Sequence, residues 1–309
     1  MQLLMCKDVP VYNVTTQTLL NKALAPGQLA KEPSADMFRI WAQARYSSQT
    51  NVIARRVQGG TFGQGNRQYI NQVTKSLSLS DSYWLKDNSD GSSFNEVSPY
   101  YVDFWKGEDN YKGQSVPTLY TDGVLPKYWL DRNTLIKQAP QVEIECAKLA
   151  KDIGLSVADV WCFGEGYIAV KSFTNPDIMY EAADTSGLLD VADFTYQDVL
   201  EVFGEKGLDM LVFDAVVGNI DRHTGNFGFL KCANTGVHLN MAPLFDFDQA
   251  LSPNEIDFSL IRAVVKFVKD TSNMTHALGL IEKIKKQTTL PEIIERARLM
   301  KELLHDNER

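Results

Sequence analysis

The sequence predicts an α+β fold with two lobes, a strand-rich N-lobe followed by a helical C-lobe. Two patterns support this prediction. Between residues 115 and 190, short apolar runs are separated by turn residues, which is typical of strands. After residue 190, apolar residues recur at the three- and four-residue spacing of amphipathic helices. The change of pattern near residue 190 therefore predicts the boundary between the lobes.

The composition is that of a globular protein, and it narrows the classes of partner. The 309 residues carry a net charge of −8, which argues against a surface that neutralises nucleic acid, so we expect no direct nucleic-acid partner. The four cysteines lack the spacing of a disulfide framework or a zinc site. Because no signal peptide or membrane-spanning run is evident, we expect a cytoplasmic protein. Export as an effector without a cleavable signal stays an open alternative.

The predicted elements divide the chain into three segments. Residues 1–114 are expected to form an irregular region packed on the N-lobe, because residues 45–115 are rich in Ser, Asn, Gln and Gly. Residues 115–190 form the strand-rich lobe and residues 191–309 the helical lobe. The predicted strands and turns are a hairpin at 117–126, a strand at 134–137, and strands at 157–163 and 167–173. The predicted helices are 142–153, a buried helix over 208–216, and helices near 257–269, 275–286 and 291–304.

The run from Gly218 to Leu230 carries the residues that point to chemistry. It follows the buried helix directly, so Asp221 and Asn226 are expected on a loop held by a rigid element. Four residues separate them, as in the catalytic loop of protein kinases, although here the Arg-His pair follows the Asp. Asp246-Phe247 then stands where the metal-binding Asp-Phe-Gly of a kinase would stand, with Asp248 in place of the Gly.

These residue types suit phosphoryl transfer, which needs a group to orient a hydroxyl and oxygen ligands to hold Mg²⁺ on the phosphates. Each residue alone also has an ordinary structural explanation. Asp221 would cap a turn, Asn226 would supply turn geometry, and Asp246 would be a solvated carboxylate. The joint pattern of buried helix, loop and second carboxylate favours the chemical interpretation.

The N-lobe should supply a lysine for the phosphates and an acid to orient it. Lys137 ends an apolar strand, and Glu143 and Glu145 open the following helix. The alternatives are an ordinary lysine at a strand end and a glutamate that favours the helix dipole. For the loop that covers the phosphates, the hairpin at 119–124 is preferred to the glycine-rich run at 59–65, because it lies next to the lysine strand.

At these residues the chain resembles the HipA-like serine/threonine kinases, a group of bacterial toxin kinases. The family's catalytic run, Asn-x-Asp-x-His-x-x-Asn-Phe, is matched from Asn219 to Phe227, and its Pro-x-(Tyr/Phe)-Asp is matched from Pro243 to Asp246. The helix from Glu143 is also similar to a helix of the family. Residues 169–173 resemble its adenine-binding hinge, with Lys171 where a Glu is usual.

The resemblance implies an ATP- and Mg²⁺-dependent kinase, in which residues 115–190 bind the nucleotide and residues 191–309 carry the catalytic groups. It implies a protein acceptor with Ser or Thr, autophosphorylation, and an antitoxin-type protein partner, although the first 110 residues do not match the family's usual N-terminal subdomain. The resemblance implies that Asp221 is the catalytic base and that Asn226 and Asp246 bind Mg²⁺ and the nucleotide. It implies that Lys137, oriented by Glu143, contacts the phosphates and that Phe173 packs near the adenine. His223 would support the transferred phosphate, and the alternative is a loop histidine hydrogen-bonded to the backbone.

Two other functions stay open. The run Gly-Asn-x-Asp-Arg-His-x-x-Asn is also similar to that of phosphatidylinositol kinases, so the acceptor could be a phosphoinositide or a small molecule on the same fold. A non-catalytic nucleotide-binding regulatory module is the third hypothesis. The family's glycine-rich loop with its regulatory serine is not evident, and the nearest hydroxyls are Ser115, Thr118 and Thr121.

Overall fold

The computed structural model describes residues 2–44, 75–102, 127–189, 194–251 and 258–306. The chain forms two compact units, and each is assembled from separate stretches of sequence. The first unit comprises Met1–Gln138, Ala169–Leu188 and Gly228–Asn240, and the second comprises Ala139–Ile168, Leu189–Phe227 and Met241–Arg309. The predicted division into 1–114, 115–190 and 191–309 describes contiguous segments, whereas the compact units combine separate ones. That division therefore stays a prediction.

An antiparallel sheet that the sequence pattern did not indicate lies in the first unit. Its strands are β1 (Gln2–Cys6), β2 (Val9–Asn13), β3 (Thr18–Leu19) and β4 (Tyr83–Asp87), in the order β3-β2-β1-β4. Successive side chains of a strand point to opposite faces. Accordingly, Leu4 of β1 packs in a core with Tyr12 and Leu29, whereas Met5 packs in another with Trp84 and Phe94. Short helices α1 (Gly27–Lys31), α2 (Ala35–Ala44) and α3 (Phe94–Val97) accompany this sheet.

A second sheet, which lies in the first unit except for Met241, contains β9 (Ile178–Ala182), β10 (Gly228–Cys232) and β11 (His238–Met241), in the order β11-β10-β9. Strands β9 and β10 pair antiparallel, with Phe229 opposite Glu181. Gly228 is required at the start of β10, because a Cβ there would lie 2.2 Å from the backbone oxygen of Glu181. The closely paired strand β10 therefore begins directly after the loop at 218–227.

The third sheet contains the strands predicted from the sequence. Its members are β5 (Lys127–Asp131), β6 (Thr134–Gln138), β7 (Val160–Gly164) and β8 (Tyr167–Lys171), in the order β5-β6-β8-β7. The division between the units falls within β8, between Ile168 and Ala169. The strand at 134–137 and the pair around the turn at 164–166 are confirmed. The hairpin at 117–126 and the glycine-rich run at 59–65 lie outside the described residues.

Five of the six helices described in the second unit correspond to predicted ones, whereas the helix at Tyr196–Phe203 was not predicted. The six described helices are α4 (Val142–Asp152), α5 (Tyr196–Phe203), α6 (Glu205–Val217), α7 (Ser259–Asp270), α8 (Met274–Gln287) and α9 (Pro291–His305). Helix α5 begins with a capping box in which the hydroxyl of Thr195 accepts from the Asp198 backbone N–H. Residues of α6 from Met210 to Val217 are all buried, so this helix is the rigid core element behind the loop at 218–227. Among the described helices, none has the length and apolar character needed to cross a bilayer.

Candidate active site

Helix α6 ends at Gly218, and the chain then forms the loop that carries the predicted catalytic residues. Gly218 has φ 68°, the left-handed conformation that commonly ends helices. The backbone N–H of Asn219 donates to the carbonyl of Asp214 at 2.9 Å, and its side-chain amide donates to Asp214 Oδ1 at 2.9 Å. The start of the loop is therefore attached twice to the last turn of α6.

The rest of the loop folds around Asn226, which is 6% exposed. Its backbone N–H donates to the carbonyl of His223 at 2.8 Å, and its Nδ2 donates to the carbonyl of Asp221 at 3.2 Å. The N–H of Gly225 donates to Nδ1 of His223 at 3.1 Å. The side chains of Asp221 and His223 are exposed. The loop thus places the predicted base toward solvent and holds the predicted magnesium ligand beneath it.

Three carboxylates meet in the second unit. Oxygens of Glu143, Asp246 and Asp248 all lie within 4.8 Å of one another. Glu143, in the first turn of α4, is 1% exposed, and the two aspartates are half-buried. The segment that carries them follows a parallel bridge between Val157 and Leu244. Asp248 was not predicted as a site residue, and the available signal was a second carboxylate two positions after Asp246.

This donor set fits the divalent cation that the resemblance implies. Mg²⁺ binds oxygen ligands, and one or two carboxylates together with substrate phosphates are its usual partners. The amide nitrogen of Asn226 is engaged with the carbonyl of Asp221, so its side-chain oxygen is the atom of that amide suited to a cation. The roles of Asn226 and Asp246 as ligands stay predictions.

A buried ion pair between the loop and helix α6 was also not predicted from the sequence. Nε of Arg222 lies 2.8 Å from Oδ2 of Asp214, and the side chains are 6% and 4% exposed. No sequence periodicity indicates this pair, since Arg222 belongs to a loop and Asp214 to the buried helix.

Negatively charged side chains near Cys146 and Tyr196 affect the pKa values of these two residues. Burial raises the pKa of Cys146 on α4 to about 12, and the nearby charges of Asp214, Glu145 and Glu143 act in the same direction. Burial, followed by the charge of Asp214, also raises the pKa of Tyr196. Cys146 is therefore protonated at neutral pH and does not provide a thiolate nucleophile.

The remaining predicted residues belong to the first unit. Lys137, near the end of β6, is 5% exposed, which is unusual for a lysine. Phe173 follows β8 and makes an edge-to-face contact with Tyr180, with ring centroids 5.8 Å apart. The assignment of Lys137 to phosphates and of Phe173 to adenine stays a prediction.

Comparisons with known proteins agree with these observations. A family model described as the HipA-like C-terminal domain matches residues 121–303. The chain is 45% identical over 49 residues to the serine/threonine-protein kinase CtkA of Helicobacter pylori (strain J99). That stretch covers 16% of this chain and 15% of CtkA, so the similarity concerns a small part of either protein.

One of two solved structures is similar to this chain at the level of the fold. A chain of the Shewanella oneidensis MR-1 toxin–antitoxin complex of HipA, HipB and operator DNA matches with a TM-score of 0.56 and 12% identity, covering 98% of this chain and 96% of that chain. The Helicobacter pylori proinflammatory kinase CtkA matches with 17% identity over 58% of this chain and 88% of that one, but its TM-score of 0.36 supports no structural conclusion. Because the HipA structure is of a complex with DNA, it lends no support to the expectation that nucleic acid is excluded as a partner.

The predicted fold class is confirmed by the mixed architecture of antiparallel sheets and helices and by its similarity to the HipA structure. The family model covers more than half of the chain, including the loop at 218–227 and all three clustered carboxylates. The protein belongs to the HipA-like C-terminal domain family.

Proposed function

We propose that the protein is an ATP- and Mg²⁺-dependent kinase that phosphorylates Ser or Thr hydroxyls of proteins, itself included. The observation that carries the proposal is the loop at 218–227, which exposes Asp221 while Asn226 is buried and bonded to the Asp221 carbonyl at 3.2 Å. Asp246 belongs to the same compact unit. Membership of the HipA-like family and the partial identity to the kinase CtkA support this function.

In the proposed reaction, Asp221 accepts the proton of the acceptor hydroxyl as that oxygen attacks the γ-phosphorus of ATP. A new oxygen–phosphorus bond forms, the bond from the γ-phosphorus to the β–γ bridging oxygen breaks, and ADP leaves with the electron pair. An exposed carboxylate suits this role, because a protein hydroxyl must reach it. Nδ1 of His223 accepts from the Gly225 N–H at 3.1 Å, so Nε2 is the ring nitrogen that would donate to the transferred phosphate.

The other groups bind and orient the nucleotide. Asp246 and Asn226 would hold Mg²⁺, with Asp248 and Glu143 contributing nearby negative charge. When bound, the ion offsets the charge of the phosphates. Lys137 is assigned to the phosphates and Phe173 to the adenine, as the family resemblance implies.

We also propose a protein partner of the antitoxin type. The support is family membership together with the similar HipA structure, which is a complex with HipB and operator DNA. Co-elution of the chain with a HipB-type protein in size-exclusion chromatography is expected, and separate elution at micromolar concentration of both would contradict it.

The decisive experiment compares the wild-type protein with Asp221→Asn in the presence of γ-labelled ATP and Mg²⁺. We expect label on the wild-type protein and on a generic Ser/Thr protein acceptor, and a loss of about 10²–10⁴-fold in the variant, the range of a general base. Asp152→Asn is the matched control, because Asp152 forms a surface pair with Lys148 and such pairs contribute little.

Three outcomes would overturn the proposal. Label on phosphoinositide vesicles but not on protein would favour the lipid-kinase alternative. Stabilisation by ATP in a thermal-shift assay without any transfer would favour a non-catalytic module. Unchanged transfer in Asp221→Asn would place the base elsewhere.

A further inference from the structure

The side chain of Arg222 turns inward, although it lies between the exposed residues Asp221 and His223. Its Nε and Nη2 donate to Oδ2 and Oδ1 of Asp214 at 2.8 and 3.0 Å, so the guanidinium binds both carboxylate oxygens. Such bidentate pairs are among the strongest charge-assisted hydrogen bonds, and their geometry is well defined. The position of the guanidinium is therefore set by helix α6.

The opposite side of the guanidinium contacts the two segments that carry the predicted magnesium ligands. Nη1 donates to the carbonyl of Asn226 at 3.1 Å and to the carbonyl of Phe245 at 2.6 Å. The Arg222 Cζ also lies 5.0 Å from the centroid of the Phe247 ring. One side chain thus contacts the residues immediately before and after Asp246, as well as Asn226 itself.

The conformation of Asp246 explains why such contacts are needed. Asp246 has φ 63°, in the left-handed region that residues other than glycine rarely adopt. Conformations of this kind cost about 1–3 kcal/mol and persist only where the surroundings enforce them. Phe247 is 1% exposed and packs edge-on against Phe213 of α6, with ring centroids 5.7 Å apart. Arg222 and this packing hold Asp246 on both sides.

Asp214 is itself held in place by Asn219. The Asn219 side chain donates to Asp214 Oδ1, and its backbone N–H donates to the Asp214 carbonyl. The three residues form a continuous buried network from helix α6 through the loop to the segment around Asp246. None of these contacts involves a residue of the first unit.

We propose that Arg222 is a positioning residue that sets where Asp246 stands relative to Asn226, and so determines the affinity of the site for the divalent cation. This inference rests on the proposed function, in which those two residues bind Mg²⁺. An arginine is required because one planar group must donate from two nitrogens to a carboxylate and from its third nitrogen to two carbonyls. A lysine has a single ammonium group and does not reproduce this arrangement.

The test uses Arg222→Lys, with Mn²⁺ as the probe cation and a non-hydrolysable ATP analogue present. Electron paramagnetic resonance of free Mn²⁺ measures the dissociation constant, and transfer assays measure the Mg²⁺ concentration at half-maximal activity. We expect both to rise about ten-fold, the lower end of the effect of losing a group that orients a metal ligand. Asp214→Asn should also weaken Mn²⁺ binding, although Asp214 contacts neither Asn226 nor Phe245 by a described hydrogen bond. The double variant should lose no more Mn²⁺ affinity than the more affected single variant, because both residues act through one contact.

Arg296→Lys is the matched control. Arg296 is also a buried arginine of the second unit; it donates to the carbonyl of Ala215 at 3.0 Å and lies over the Phe258 ring. We expect this variant to lower the melting temperature without changing the Mn²⁺ affinity. A folded Arg222→Lys with wild-type affinity for Mn²⁺ would overturn the proposal. An equal loss of affinity in Arg296→Lys would also do so, because it would indicate general destabilisation.

The failure of this inference can be told apart from failure of the proposed function. A wild-type protein that binds Mn²⁺ with the nucleotide analogue but transfers no phosphate would refute the kinase proposal, while the Mn²⁺ comparison would still decide the role of Arg222. Transfer by the wild type with the same Mg²⁺ requirement in Arg222→Lys would refute the positioning role alone.

Discussion

Lys231 and Glu181 form a buried ion pair in the first unit, with 3.0 Å between Nζ and Oε1 and side chains only 3% and 5% exposed. Lys231 also donates to the carbonyl of Ala25 at 2.9 Å. Glu181 accepts from the backbone N–H of Gly27 at 2.9 Å and lies 2.6 Å from Nε2 of His238. One charged pair therefore joins β9, β10 and β11 to the chain that enters α1.

Replacement of Glu181 by Gln should destabilise the protein strongly. The substitution leaves the Lys231 ammonium buried without its carboxylate, and breaking a buried pair in this way costs about 3–5 kcal/mol. The free energy of unfolding from urea titration measures the effect. The double variant Glu181→Gln, Lys231→Met is the control, and it should recover part of the loss because no charge stays buried. A single variant as stable as the wild type would contradict the prediction.

The same glutamate predicts a dependence of stability on pH. Burial alone would raise the pKa of Glu181, but the contact with His238, the charge and hydrogen bond of Lys231, and the Gly27 N–H lower it below the usual 4.5. A carboxyl group with a depressed pKa stabilises the folded state above its unfolded pKa, and this contribution is lost as the pH falls through the folded pKa. Between about pH 5 and pH 3, the melting temperature of the wild type should fall more steeply than that of Glu181→Gln. Parallel curves would be evidence against this assignment.

Replacement of Gly218 by Ala should destabilise the protein. Its φ of 68° disfavours other residues, and a Cβ would lie 3.1 Å from Cζ of Arg296, whose guanidinium is held by the carbonyl of Ala215. We expect Gly218→Ala to lower the free energy of unfolding by about 1–2 kcal/mol. Gly279→Ala in helix α8 is the matched control: no atom lies within 4 Å of its Cβ, so alanine should stabilise that helix by up to about 1 kcal/mol. Equal effects of the two substitutions would refute the explanation.

Asp248 should contribute to cation binding, although a glycine would be expected at its position in a kinase. Its carboxylate lies within 4.8 Å of those of Glu143 and Asp246, so Asp248→Gly removes negative charge from the predicted magnesium site. We expect Mn²⁺ affinity in the presence of an ATP analogue to fall about ten-fold, measured by electron paramagnetic resonance. Asp152→Asn, a surface carboxylate on α4, should leave the affinity unchanged. An unchanged affinity in Asp248→Gly would show that two carboxylates suffice.

The elements that the sequence predicted correctly are those specified by local pattern. Helix α6 and the three C-terminal helices follow from the spacing of their apolar residues, and α4 ends one residue before the predicted boundary. The sheet of β1 to β4 escaped prediction because β1 pairs with β4, about eighty residues along the chain. Pairing over that separation is decided by tertiary packing, in which Leu4 of β1 packs with Leu29 and Trp84 of β4 packs with Phe94, and a local pattern does not indicate it.

The sequence by itself determined the chemical groups of the site and their order, because the residues from Asn219 to Asn226 lie on one short loop behind one buried helix. Only the tertiary structure decided which distant groups join them. Arg222 pairs with Asp214, because a buried charge is retained only where folding supplies a partner. Glu143 and Asp248 approach Asp246 although like charges repel, so the fold holds these carboxylates together. Both arrangements depend on contacts between separate elements, and the sequence pattern does not indicate those contacts.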